Sequence, residues 1–161
     1  MVDSVARAFV ALFPDAGELD LRLYGGWTES GGLPSRDATW LNYILGDLRG
    51  RRYGMIVRPA LATTMIEFPS FLLRGTVRGQ GRSLRQKMVD GMMGCDTLYM
   101  ASHRETYIGV VTDDDDLLPA TISAYSVNPR SIAWIRSREV GSGINDPDLL
   151  TEGLRIYRLE T

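Results

Sequence analysis

Four consecutive aspartates, Asp113 to Asp116, follow the apolar run Tyr107-Ile108-Gly109-Val110-Val111 and precede Leu117-Leu118-Pro119. Tyr, Ile and Val favour a pleated strand, and a run with little polar alternation suits one covered on both faces. Leu117 to Tyr125 reads as the helix that follows. Carboxylates at the C-terminal end of a buried strand sit where open α/β sheets place their ligands. Adjacent negative charges repel, so holding four together takes a compensating cation or broad contact with water. The run is therefore either a carboxylate site for a cation or an acidic loop capping the next helix, a position that Asp favours.

A second candidate lies upstream in Ser83-Leu-Arg-Gln-Lys-Met-Val-Asp90. On a helix, Lys87 and Asp90 are three residues apart and close to one face. By itself an exposed pair of this kind contributes little. Its surroundings are strongly basic. Between Arg49 and Lys87 there are nine basic residues and one acidic one, Glu67, so this segment carries about +8 and the remainder about −10. Arginines beside an acidic cluster suit an enzyme that holds backbone phosphates on one surface and cations in a pocket. The plainer alternative is a solvated arginine face, in a chain whose one lysine is Lys87.

Composition narrows the classes. The chain has 161 residues, 44% apolar and 24% charged, as expected of a single globular domain over 1–161. No apolar run approaches the ~20 residues of a membrane helix. Met1 to Arg7 lack the pattern of a secretory leader. One histidine, His103, argues against zinc chemistry, and one cysteine, Cys95, forbids an internal disulfide and suits a reducing cytoplasm.

The elements that would position these residues alternate along the chain. Helices are expected at Ser4–Phe13, from Asp37 as cap to about Arg49, from Ser83 to near Met100, at Leu117–Tyr125 and from Asp146 to Thr151. Trp40, Tyr43, Ile44 and Leu48 share one face of the second, Trp40 as a core or surface anchor, while Met88 and Met92 read as helix packing and Cys95 as a small buried residue of the third. Strands are expected at Glu18–Trp27, Arg52–Arg58, Tyr107–Thr112, Ser131–Arg136 and Leu154–Leu159. Met65–Phe68 and Phe71–Val77 are weaker candidates, and Gly79–Gly81 reads as a turn. Alternation of this kind points to α/β architecture with a mostly parallel sheet between helices.

Two motifs in this order resemble the NYN domain, a branch of the PIN-like ribonuclease superfamily: Lys87-Met88-Val89-Asp90, then the apolar strand, then Thr112-Asp113-Asp114-Asp115-Asp116-Leu117-Leu118-Pro119. The resemblance spans roughly Glu18 to Leu159, with its diagnostic part in Lys87 to Pro119. It implies a three-layer α/β/α sandwich and a ribonuclease dependent on Mg²⁺ or Mn²⁺, in which carboxylates hold metal against the scissile phosphate. Asp90, Asp114 and Asp116 would be the catalytic, metal-holding set, with Thr112 positioning a carboxylate or a metal-bound water. Lys87, Arg78, Arg82 and Arg85 would meet RNA phosphates, Lys87 alternatively pairing with a neighbouring Asp. Asp113 and Asp115 fall at variable positions, and Asp96 either matches a further acidic position of the family or faces solvent.

One departure stands out. The family opens with a strand ending in Asp, whereas this chain starts inside what would be the first helix. A trimmed start, a strand from a partner chain and loss of catalysis each account for it. An open sheet edge invites pairing, so a homodimer or hetero-complex is expected. The alternative class is a catalytically silent nucleic-acid-binding or regulatory subunit that keeps Arg74, Arg78, Arg82 and Arg85 for phosphates. A phosphotransferase built on the Asp run lacks a phosphate-cradling glycine loop.

Overall fold

A computed structural model describes residues 2–27, 35–62, 77–78, 85–86, 88–103, 106–137 and 153–159, with backbone alone at 77–78 and 85–86. The chain opens with helix α1, Val2–Leu12, whose Val2, Val5, Ala6 and Phe9 recur at helical spacing and are buried. Asp3 lies inside its first turn, where a carboxylate complements the helix dipole. Strand β1, Glu18–Tyr24, follows after a turn at Pro14-Asp15.

The expected strand Arg52–Arg58 resolves into a hairpin. β2, Gly50–Arg52, and β3, Met55–Ala62, pair antiparallel around Tyr53-Gly54, with φ of 54° and 83°. Two-residue hairpin turns of this type need positive φ at both positions, which Gly54 adopts freely and Tyr53 at a cost. β3 also pairs parallel to β1, Leu19 against Val57, giving the order β1-β3-β2. Helix α2, Arg36–Asp47, is capped by Ser35, whose Oγ accepts from the Ala38 amide at 3.1 Å, so the cap is Ser35 in place of Asp37. It packs on β3 and buries Ala38 and Leu45, seven residues and two turns apart. Trp40 and Tyr43 lie on the far side and are 62% and 76% exposed, so Trp40 is a surface residue.

A second sheet is wholly parallel: β6 (Ile108–Val111), β7 (Ile132–Arg136) and β8 (Arg155–Arg158), with β7 in the middle. Between the two sheets in sequence, β4 (Val77–Arg78) and β5 (Arg85–Gln86) form a short antiparallel ribbon. Helix α3 therefore begins at Val89, not at Ser83, and runs to Ala101. Met88 precedes it with φ 66°, left-handed backbone through which a right-handed helix cannot continue. Helix α4, Leu118–Val127, follows a 3₁₀ turn at Asp115–Leu117 and carries Pro119 in its first turn, where no amide partner is lost. Cys95, expected in the core, is exposed. The segments 63–76, 79–84 and 138–152, with the expectations made for them, lie outside the described residues.

Alternate residues of β7 serve two cores. Ala133 joins the cluster of Phe9, Phe13, Leu19, Leu45 and Val57 under α1 and α2. Ile132 and Trp134 join Ala101, Leu118, Ala124 and Leu154 with α3 and α4. A strand buried on both faces reads as an unbroken apolar run, as Ile-Ala-Trp-Ile does. The molecule is a mixed α/β fold with small, largely parallel sheets. Among the described residues, no helix is long and apolar enough to cross a membrane.

Candidate functional site

The acidic run leaves β6 at its C-terminal end and divides by position. Asp113 turns toward the end of β7, accepting from the Ser137 amide at 2.9 Å and from the Ser137 hydroxyl. Asp115 accepts from Arg136 Nη2 at 3.0 Å. Arg136 is the last residue of β7, only 1% exposed, with its guanidinium 5.2 Å from the centre of the Trp134 ring. The compensating cation demanded by adjacent carboxylates is thus partly internal. Asp114 and Asp116 are exposed. Asp114 Oδ1 caps the 3₁₀ turn, accepting from the Asp116 amide at 3.0 Å. The capping reading of the run therefore holds for Asp114.

Thr112 organises this corner. Its hydroxyl accepts from the Asp114 amide at 3.0 Å, and its carbonyl accepts from Trp134 Nε1 at 2.9 Å. Its amide donates to the Ile135 carbonyl at 3.1 Å, extending the β6–β7 ladder to the first aspartate. Thr112 here positions backbone. The sequence signal for Arg136 was available: a lone charge ending an apolar strand needs a partner once buried.

Asp90 is exposed in the first turn of α3. One turn on, Gly94 lies so close to α4 that a Cβ there would be 3.2 Å from Ala120 Cβ and 3.8 Å from Leu117 Cδ2. Residues four apart share a helical face, so Asp90 is directed to the same end of the fold as the aspartate run. Asp96 is buried, 2% exposed, and accepts from the Tyr24 hydroxyl at the end of β1. Burial first, and then the bond to Asp96, push the Tyr24 phenol well above its ordinary range. Tyr24 was not singled out from sequence, because its polar partner comes from an element 72 residues away.

Among the described residues, no group of three or more His, Cys, Asp or Glu comes close enough to hold a metal ion. Asp90, Asp114 and Asp116 share one end of the fold but do not form a ready ligand set for Mg²⁺ or Mn²⁺. Of the proposed phosphate contacts, Lys87 and Arg82 lie outside the described residues. Arg78 and Arg85 are placed by backbone register alone, directly opposite each other in the β4–β5 ribbon. Comparison with protein-family models, with curated proteins and with solved structures gives no match.

Proposed function

We propose that this chain is a PIN-like ribonuclease of the NYN kind, with a three-layer α/β/α arrangement, that cleaves RNA at its acidic edge and depends on Mg²⁺ or Mn²⁺. The observation that carries the proposal is the division of the aspartate run. Asp113 and Asp115 are committed to Ser137 and Arg136, while Asp114 and Asp116 stay exposed at the C-terminal end of a parallel strand, with Asp90 directed the same way. Exposed carboxylates repel a phosphodiester unless positive charge stands between them, which is why divalent metal belongs to the proposal. The basic segment 49–87 supplies the electrostatic attraction for RNA.

The absence of a three-ligand set among the described residues favours a second possibility, an RNA-binding module without turnover. One experiment separates them. Labelled RNA is incubated with the chain in Mg²⁺, Mn²⁺ or EDTA, and binding is followed across a salt series. Metal-dependent cleavage that is lost in Asp114→Asn supports the nuclease. Salt-sensitive binding without products in either metal supports the binding module.

A further inference from the structure

Two glycines interrupt α3, and only one serves packing within the chain. Gly94 lets α4 approach, whereas a Cβ added at Gly91 would meet nothing within 4 Å. Glycine inside a helix is less favourable than alanine, so the notch at Gly91 has no internal reason. It belongs to a stripe. Gly91, Cys95 and Tyr99 follow one another at four-residue spacing on the outer face of α3, all exposed, with Leu98 beside them. α4 lies alongside α3 and turns Ile122 and Val127 outward. Leu98, Tyr99, Ile122 and Val127 are each at least 39% exposed. Apart from Asp90 in its first turn, α3 exposes no charged residue, and α4 contains none. Helices that are apolar or neutral all round are ordinarily covered on every side. Here the outer side of both is open.

We propose that this face is covered by a second copy of the chain, packed antiparallel through α3 about a two-fold axis at Cys95. The order of sizes along the stripe selects that occupant. In a two-fold interface, residue i meets residue j and j meets i. About an axis at Cys95, Gly91 of each copy meets Tyr99 of the other, so each ring enters the notch that a glycine leaves. The stripe carries its own knob and its own hole. Charge selects the same direction. Antiparallel packing sets the two Asp90 side chains ~15 Å apart along the helices, well beyond the ~8 Å over which salt screens them. Parallel packing would bring them, and the aspartate runs, together. The area sets the strength. At ~20 and ~15 Å long and ~10 Å wide, α3 and α4 offer roughly 350 Å² in projection, below the ~800 Å² per partner of a standard interface. The dimer is therefore weak, with dissociation in the micromolar range. It uses side chains and no sheet edge, and it is independent of whether the chain cleaves RNA.

The test uses the full chain, whose one cysteine is Cys95. Sedimentation in reductant, from low micromolar to submillimolar concentration, should show a monomer–dimer equilibrium. Tyr99→Lys and Leu98→Lys, both at exposed positions, should each stay monomeric throughout, with circular dichroism confirming that they fold. Cross-linking then checks the register. Helices packed ~8–10 Å apart put Cα atoms that face each other at the axis ~3.5–5.5 Å apart, which overlaps the ~4.4–6.8 Å that a disulfide spans. Added diamide takes two electrons and two protons from the paired thiols as the S–S bond forms. In Cys95→Ser/Ser102→Cys the two thiols would stand ~21 Å apart along the helices. Cys95 should therefore cross-link about tenfold or more faster than Cys95→Ser/Ser102→Cys at equal concentration. Equal rates in the two proteins overturn the proposal, since they report random collision. So does a parent that stays monomeric at the highest concentration, and so does a dimer that persists in both lysine variants, which would place the contact on another surface.

Discussion

Arg136 Nη2 donates to Asp115 Oδ1 across 3.0 Å, joining the end of the central strand β7 to the turn that follows β6. The guanidinium is buried and the carboxylate partly exposed. Asp115→Ala would leave a buried cation without this carboxylate, at a cost of about 3 kcal/mol. Urea unfolding of Asp115→Ala beside Arg136→Met/Asp115→Ala measures this. The double variant should recover part of the loss, because the buried charge is gone. Equal stability of Asp115→Ala and the parent would contradict the structural role given to Asp115.

The neighbouring aspartates should behave in the opposite way. Under the proposed ribonuclease function, Asp90→Asn, Asp114→Asn and Asp116→Asn should each reduce metal-dependent RNA cleavage by about 100-fold or more, with stability unchanged within about 0.5 kcal/mol, as for exposed positions. Asp114→Ala should additionally lose about 1 kcal/mol, because the cap on the Asp116 amide disappears. Cleavage rates and denaturant midpoints measured together separate these effects.

Tyr24 predicts an alkaline limit. Its folded-state pKa lies above its ordinary value of 10.0, through burial and then the Asp96 bond. Its contribution to stability is therefore fully present below pH 10.0 and is lost as the pH rises above that value. Absorbance titration of the native chain should show one of the seven tyrosines ionising late, and Tyr24→Phe should remove that phase. The alkaline decline in melting temperature should be shallower in Tyr24→Phe than in the parent.

The β2–β3 turn offers a test of backbone alone. A Cβ added at Gly54 meets nothing within 4 Å, yet φ there is +83°. Gly54→Ala should thus cost about 1–2 kcal/mol through conformation without any clash. Thermal unfolding of Gly54→Ala against Gly54→Asn checks this, since Asn tolerates left-handed backbone and should lose less.

Much of the frame was legible because it depends on local patterns. Val5 and Phe9 mark one face of α1, Leu19, Leu21 and Leu23 alternate along β1, and Ile132 to Ile135 form the unbroken run of a strand buried on both faces. The errors lie where local pattern is overridden. Ser83 resembled a cap, but left-handed Met88 delays α3 to Val89. Trp40, Tyr43, Ile44 and Leu48 share a face by spacing, but α2 buries the smaller Ala38 and Leu45.

The sequence by itself determined the aspartate run after an apolar strand, the separate basic segment and the alternation of helix and strand. These are properties of neighbours along the chain, set by side-chain type and spacing. Tertiary structure alone decided which aspartates are structural, because Arg136 and Ser137 reach Asp115 and Asp113 only once β7 lies beside β6. It alone also buried Asp96 under Tyr24 and left a cavity between β1 and β6. Pairing between distant strands carries no local signature, since its hydrogen bonds use backbone groups that almost every residue has.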